Sequence, residues 1–164
     1  MDEEEAAAAP RAGRDLGVAT WSAFLRAHAA VLRVLEREVE AETGLALSWY
    51  DVLLELSAAE HGRLRMQVLA SRVVLSRTRV SRLVDDLSRA GLVTKTPDPA
   101  DGRATFATIT DAGRRAQRLA APAYLRGIQR HFAGHLSRAQ LEAMRAGLAQ
   151  VLAAHPPDAP GRVP

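Results

Sequence analysis

The stretch SRTRVSRLVDDLSRAGLVTKTPDPADGRATFATIT, Ser76 to Thr110, decides the fold. Val80, Leu83, Val84 and Leu87 fall at i, i+3, i+4 and i+7, the spacing that lines one face of a helix with apolar side chains. Ser76 stands where an N-cap hydroxyl accepts from the first free backbone N–H groups, and Gly91 supplies a left-handed stop. Leu92 to Thr96 and Arg103 to Ile109 are rich in Val, Thr and Phe and predict two short strands. Pro97, Pro99 and Gly102 predict the turn between them.

Outward from this core, Met66, Leu69, Ala70 and Val73 suggest a short helix running to Leu75. Before it, Ser48 and Asp51 have the spacing of a capping box, followed by an apolar stripe of Trp49, Val52, Leu53 and Leu56 that ends at His61-Gly62. Between Asp15 and Glu42, Phe24, Leu25, His28, Val31, Leu32, Leu35 and Val39 recur at three and four residues, and Gly44 stops this long amphipathic helix. After the strands, Thr110-Asp111 caps a helix through Leu119, Tyr124, Ile128 and Phe132 that Pro122 is expected to kink or interrupt. Ser137 and Gln140 form a second capping box, and Leu141, Met144, Leu148, Val151 and Leu152 are expected as the buried stripe of the last helix. Residues 1–14, acidic and broken by Pro10 and Gly13, and residues 155–164, with four prolines, are expected to be disordered tails.

This order predicts a mainly α fold, a winged helix-turn-helix with a small β-wing, within one domain over 15–154. The composition agrees: 48% hydrophobic but 4% aromatic residues call for a core of Leu, Val and Ala, which favours helices. The chain has no cysteine, so disulfides, Cys-type zinc sites and thiol redox sensing are excluded. No signal peptide opens the sequence and no apolar run approaches a membrane span of about 18 residues, so a cytoplasmic protein without membrane contact is expected.

The formal net charge of +3 conceals an asymmetry. Residues 1–62 carry five arginines against 12 acids, whereas residues 63–103 carry nine basic residues against four acids. A basic middle is the charge pattern of a segment that meets polyphosphate. At about 100° per residue, burying the Val80 stripe points Thr78, Arg82, Asp85 and Arg89 directly outward, with Arg79 and Ser81 on the flanks and Arg77 in the open first turn. An outward arginine can donate two hydrogen bonds to guanine O6 and N7, and Arg82, central on the face, is the first choice for such direct readout. Thr78 and Ser81 suit a phosphate, a base edge or a thymine methyl group. From the turn, Arg103 can project into a narrow minor groove, and Asp101, which phosphate would repel, is expected to orient a nearby arginine.

Residues 48–113 resemble the DNA-binding core of the multiple antibiotic resistance regulator (MarR) family. The family's D-x-R-x-x-x-x-x-L-T wing stands here as Asp101-Gly102-Arg103-Ala104-Thr105-Phe106-Ala107-Thr108-Ile109-Thr110, with Ile109 for the leucine; LVDDLSRAGLV before it and TDAGR after it extend the similarity. The resemblance implies a homodimer on a palindromic operator in double-stranded DNA, usually repressing transcription, with residues 15–43 and 114–154 as dimerisation helices. It implies that Thr78, Ser81 and Arg82 enter the major groove, that Arg103 is the wing-tip arginine, and that Arg77 and Arg79 contact phosphate or base. Family members often bind small aromatic or phenolic acids between the dimerisation helices and the winged domain; Trp21, His28, Trp49, Tyr50 and His61 fall in the helices lining such a cleft.

Enzymatic chemistry is not expected. No Ser/His/Asp arrangement, phosphate-cradling glycine loop or HExxH is present, and the His131/His135 pair has no cysteine or well-placed acid to complete a metal site. Neither a cofactor nor a metal is therefore expected. The alternative is a winged-helix module that docks another protein without touching DNA; such a module has no need to keep Arg77, Arg79, Arg82 and Arg103 together.

Overall fold

A computed structural model describes residues 3–73 and 75–155, with side chains from Asp15 onward except at positions 77, 102 and 103. Among the described residues six α-helices and three strands follow in the order α1 (Glu3–Thr43), α2 (Leu47–Ala58), β1 (Arg63–Arg65), α3 (Met66–Arg72), α4 (Arg77–Arg89), β2 (Val93–Asp98), β3 (Asp101–Ile109), α5 (Asp111–His131) and α6 (Arg138–Ala154), with short 3-10 turns at Glu60–Gly62 and Ala133–His135. The strands form one antiparallel sheet in the order β1-β3-β2.

The apolar stripe of α4 is buried as its spacing predicts, with Val80, Val84 and Leu87 essentially inaccessible and Leu83 half-buried. They pack into one core with Val52, Leu53 and Leu56 of α2, Leu69 of α3, Val93 of β2 and Ala107 and Ile109 of β3. Each buried Val, Leu or Ile among them contributes roughly 1.5–3 kcal/mol on leaving water. Gly91 adopts φ 74°, the left-handed stop expected of it. Gly113 has a different reason: a Cβ there would collide with the backbone carbonyl of Leu92, so glycine lets the start of α5 press on the α4–β2 junction. The Thr110 hydroxyl caps that start, accepting from the Gly113 N–H at 3.1 Å.

The structure corrects several expectations. Ser48 lies inside α2, whose N-cap is Ala46 with no side-chain hydrogen bond, so the Ser48/Asp51 spacing is not a capping box. Strand β1 was not anticipated; its three residues are too few for a periodic signal, and it exists because β3 offers a free edge. Pro97 belongs to β2 rather than to the turn, which shrinks to Pro99-Ala100. A proline is tolerated there because β2 is an edge strand, where a missing N–H leaves no ladder partner unsatisfied. Helix α5 passes through Pro122 without interruption.

The ends of the chain depart furthest. Helix α1 begins at Glu3, not Asp15, so the backbone of residues 3–14 is helical where a disordered tail was expected. Beyond His155 the expected proline-rich tail lies outside the described residues. The capping box of Ser137 and Gln140 is present at the start of α6. The buried stripe expected behind it is not: α6 has no buried residue, and Leu148, Val151 and Leu152 are exposed, because α6 lies outside the core of its own chain. Leu119 of α5 and Leu16, Val18, Trp21, Leu25 and Leu32 of α1 are exposed as well. Nearer its C-terminal end α1 packs on α5: Leu35 lies against Gly127, and Leu35 and Val39 share the core with Ala120 and Ala123. Glu38 binds His131 at 2.9 Å and Arg130 at 3.7 Å, and Glu42 pairs with Arg126.

Candidate nucleic-acid interface

Helix α4 follows α3 after the short connection 73–76 and begins at a capped end, the Ser76 hydroxyl accepting from the Arg79 N–H at 3.3 Å. Its outward face is the one the spacing predicts. Thr78, Arg79, Arg82, Asp85 and Arg89 are exposed and Ser81 is half-buried. These side chains differ in how far they are committed. Asp85 binds Lys95 of β2 at 2.7 Å, and Arg89 pairs with Asp86. Among the described residues Arg79 and Arg82 form no ion pair, so two guanidinium groups on the N-terminal half of the face retain their donors. That half is where a recognition helix meets base edges. The backbone of Arg77 lies in the first turn of α4 and that of Arg103 near the start of β3, and their side chains lie outside the described residues.

The wing turn is built on an acid that sequence reasoning missed. Asp98 is 5% exposed, accepts from the Ala100 N–H at 2.9 Å, and pairs with Arg65 of β1 at 2.6 Å. The Ala100 N–H, with the Arg65 guanidinium beside it, holds the Asp98 carboxyl below the usual carboxylate range despite its burial. The pattern Asp-Pro-Ala, an Asx turn in which a carboxylate accepts from the N–H two residues on, was the available signal. Nothing in the sequence pointed to Arg65, whose partner is 33 positions away. Asp101, expected to support the wing, is exposed and opposes Asp98 across the turn.

The family model for MarR proteins matches residues 43–104, which span α2, the helix-turn-helix and the wing as far as the start of β3. Residues 43–104 belong to the MarR family. Solved structures extend the likeness. A MarR family transcriptional regulator from Streptomyces coelicolor, solved in complex with DNA, has a TM-score of 0.78 at 26% identity over 88% of this chain and 92% of its own. A second MarR family regulator from that organism has a TM-score of 0.71 at 29% identity, covering 84% and 94%. CouR from Rhodococcus jostii, bound to p-coumaroyl-CoA, shares the fold with a TM-score of 0.68 at 24% identity, covering 83% and 91%. No curated protein matches the chain.

Within this MarR fold the five aromatic and histidine residues singled out for a ligand cleft fall in three places. Trp21 and His28 lie on an exposed face of α1, stacked through Phe24 at ring distances of 5.9 and 6.3 Å. Tyr50 is buried on α2, 4.8 Å from the ring of Tyr124 of α5, with Trp49 half-buried beside it. Burial pushes both phenols up, and burial together with the nearby Glu55 pushes the Asp51 carboxyl up to about 6. His61 stands apart, exposed in the left-handed turn after α2 at φ 56°. Of the five, only His61 lines the cleft of about 390 Å³ between the end of α2, Arg63, Arg72 and Phe106. No described helix is long and apolar enough to cross a membrane.

Proposed function

We propose that this chain is a sequence-specific, DNA-binding transcriptional regulator, a homodimer that represses from a palindromic operator in the cytoplasm and responds to a small aromatic or phenolic effector. The observation that carries the reading is the outward face of α4, where Thr78, Arg79 and Arg82 are exposed beside a wing whose turn is pinned by a buried acid. Arg82 reads a base, Thr78, Ser81 and Arg79 flank it, Arg77 meets phosphate or base, and Arg103 reaches the minor groove from a wing that Asp101 supports. The exposed leucines and valines of α1 and α6 favour a second copy, since a solitary soluble chain rarely leaves a large apolar surface in water. A twofold pair sets two recognition helices about 34 Å apart, one DNA turn, which an inverted repeat matches. The p-coumaroyl-CoA held by CouR supports an aromatic effector, with Tyr50, Trp49, Trp21, His28 and His61 as the residues to examine. Catalysis has no part in this reading.

The test is selection from a random-sequence duplex pool, followed by fluorescence anisotropy on the enriched DNA. An inverted repeat is expected. Arg82→Ala is expected to lose about 1–3 kcal/mol on the selected duplex and little on random DNA. Equal loss on both would refute base readout by Arg82, and a pool that yields no enriched sequence would refute the regulator reading.

A further inference from the structure

Arg65 ends β1, and Asp98 ends β2, the outer strands on opposite sides of β3. Adjacent strands lie about 4.8 Å apart, so a side chain joining the outer two must cross the middle one, a span of about 10 Å. Arg65 makes that crossing. Its guanidinium lies 5.8 Å from the centroid of Phe106, its register partner on β3, and reaches the Asp98 carboxylate at 2.6 Å. That carboxylate is buried and also accepts the N–H of Ala100 at 2.9 Å, in the turn that leads into β3 just before Arg103. Lys95 and Asp85 tie the body of β2 to α4, but they act well below the tip.

We propose that Arg65 is a positioning residue for the wing: by crossing β3 to the buried Asp98 carboxylate, it sets the turn that presents Arg103 to DNA, without contacting DNA itself. Arg63, which covers the same Phe106 ring at 4.8 Å, has no acid partner across the sheet among the described residues and serves as the internal control. The proposal rests on the regulator reading for its readout on DNA, but the effect on the turn is measurable without DNA.

Two measurements test it on the full-length protein. The first is amide hydrogen exchange by NMR on the free protein. Arg65→Ala and Asp98→Asn are expected to accelerate exchange at Ala100 and Asp101 while leaving the core of α4 protected, and Arg63→Ala is expected to leave the turn unchanged. The second is a double-mutant cycle on a duplex selected by the wild-type protein. Arg65→Ala and Arg103→Ala are each expected to weaken binding about tenfold, and Arg65→Ala is expected to cost less than about twofold once Arg103 is alanine. Arg65→Lys, which lacks the planar fork but keeps the charge, is expected to recover part of the loss. Thermal melts separate local from global unfolding. Additive losses in the cycle would make Arg65 a DNA contact and overturn the proposal, as would unchanged exchange at Ala100 and Asp101. If the wild-type protein selects no duplex, the regulator reading fails, and the exchange data alone then decide whether Arg65 holds the turn.

Discussion

Leu152→Asp on α6 tests the twofold partner most directly. In a single chain Leu152 is 69% exposed, and a surface substitution there should change stability by no more than about 0.5 kcal/mol. If a second copy covers α6, that exposed fraction is withdrawn from water on association. Fully burying a leucine is worth roughly 1.5–3 kcal/mol, so about two thirds of it is about 1–2 kcal/mol. A twofold interface presents the residue twice, which gives about 2–4 kcal/mol per dimer before the cost of burying a carboxylate is added. The dissociation constant should therefore rise by about 30- to 700-fold, at 1.4 kcal/mol for each factor of ten. Sedimentation equilibrium across a dilution series reads this directly, with a melting curve at low concentration to show that the subunit remains folded. A wild-type protein that sediments as a monomer at all concentrations, or a variant that dissociates no more readily than wild type, would refute the assignment of α6 to the interface.

Two further outcomes follow from the core and the caps. Asp51, raised to about 6 in the folded protein, binds a proton there more tightly than in the unfolded chain, so stability is lost as pH rises from about 4 to 6. Asp51→Asn is then expected to exceed wild type at pH 7 by on the order of 1–2 kcal/mol, after allowance for partial exposure, and to match it below pH 4; urea melts across that range check the sign. Ser76→Ala removes the hydroxyl that caps α4 and should cost about 1 kcal/mol in thermal unfolding, with a larger effect on DNA affinity than on the melt if the first turn frays at the interface.

Helix α4 was legible because every signal it needs lies within one or two turns of chain. The Ser76 cap, the Val80 to Leu87 stripe and the Gly91 stop are contacts across three to seven positions, and each appears as read. The Ser137/Gln140 box was legible for the same reason. The Ser48/Asp51 box failed although its spacing was similar, because the packing of α2 starts that helix at Leu47 and leaves Ser48 inside it. Spacing proposes a cap; the position where the helix begins decides whether the side chain is used as one.

Sequence alone therefore determined the order of the winged helix, the identity of its outward face and the presence of apolar faces on the terminal helices. Tertiary structure alone decided three things. It added β1 to the sheet, it joined Arg65 to Asp98 across β3, and it left the stripe of α6 facing water in a single chain. The division has one cause. Helical periodicity and capping are properties of neighbours along the chain, whereas a strand edge, an ion pair across a sheet and the covering of an apolar face depend on which distant segments fold together.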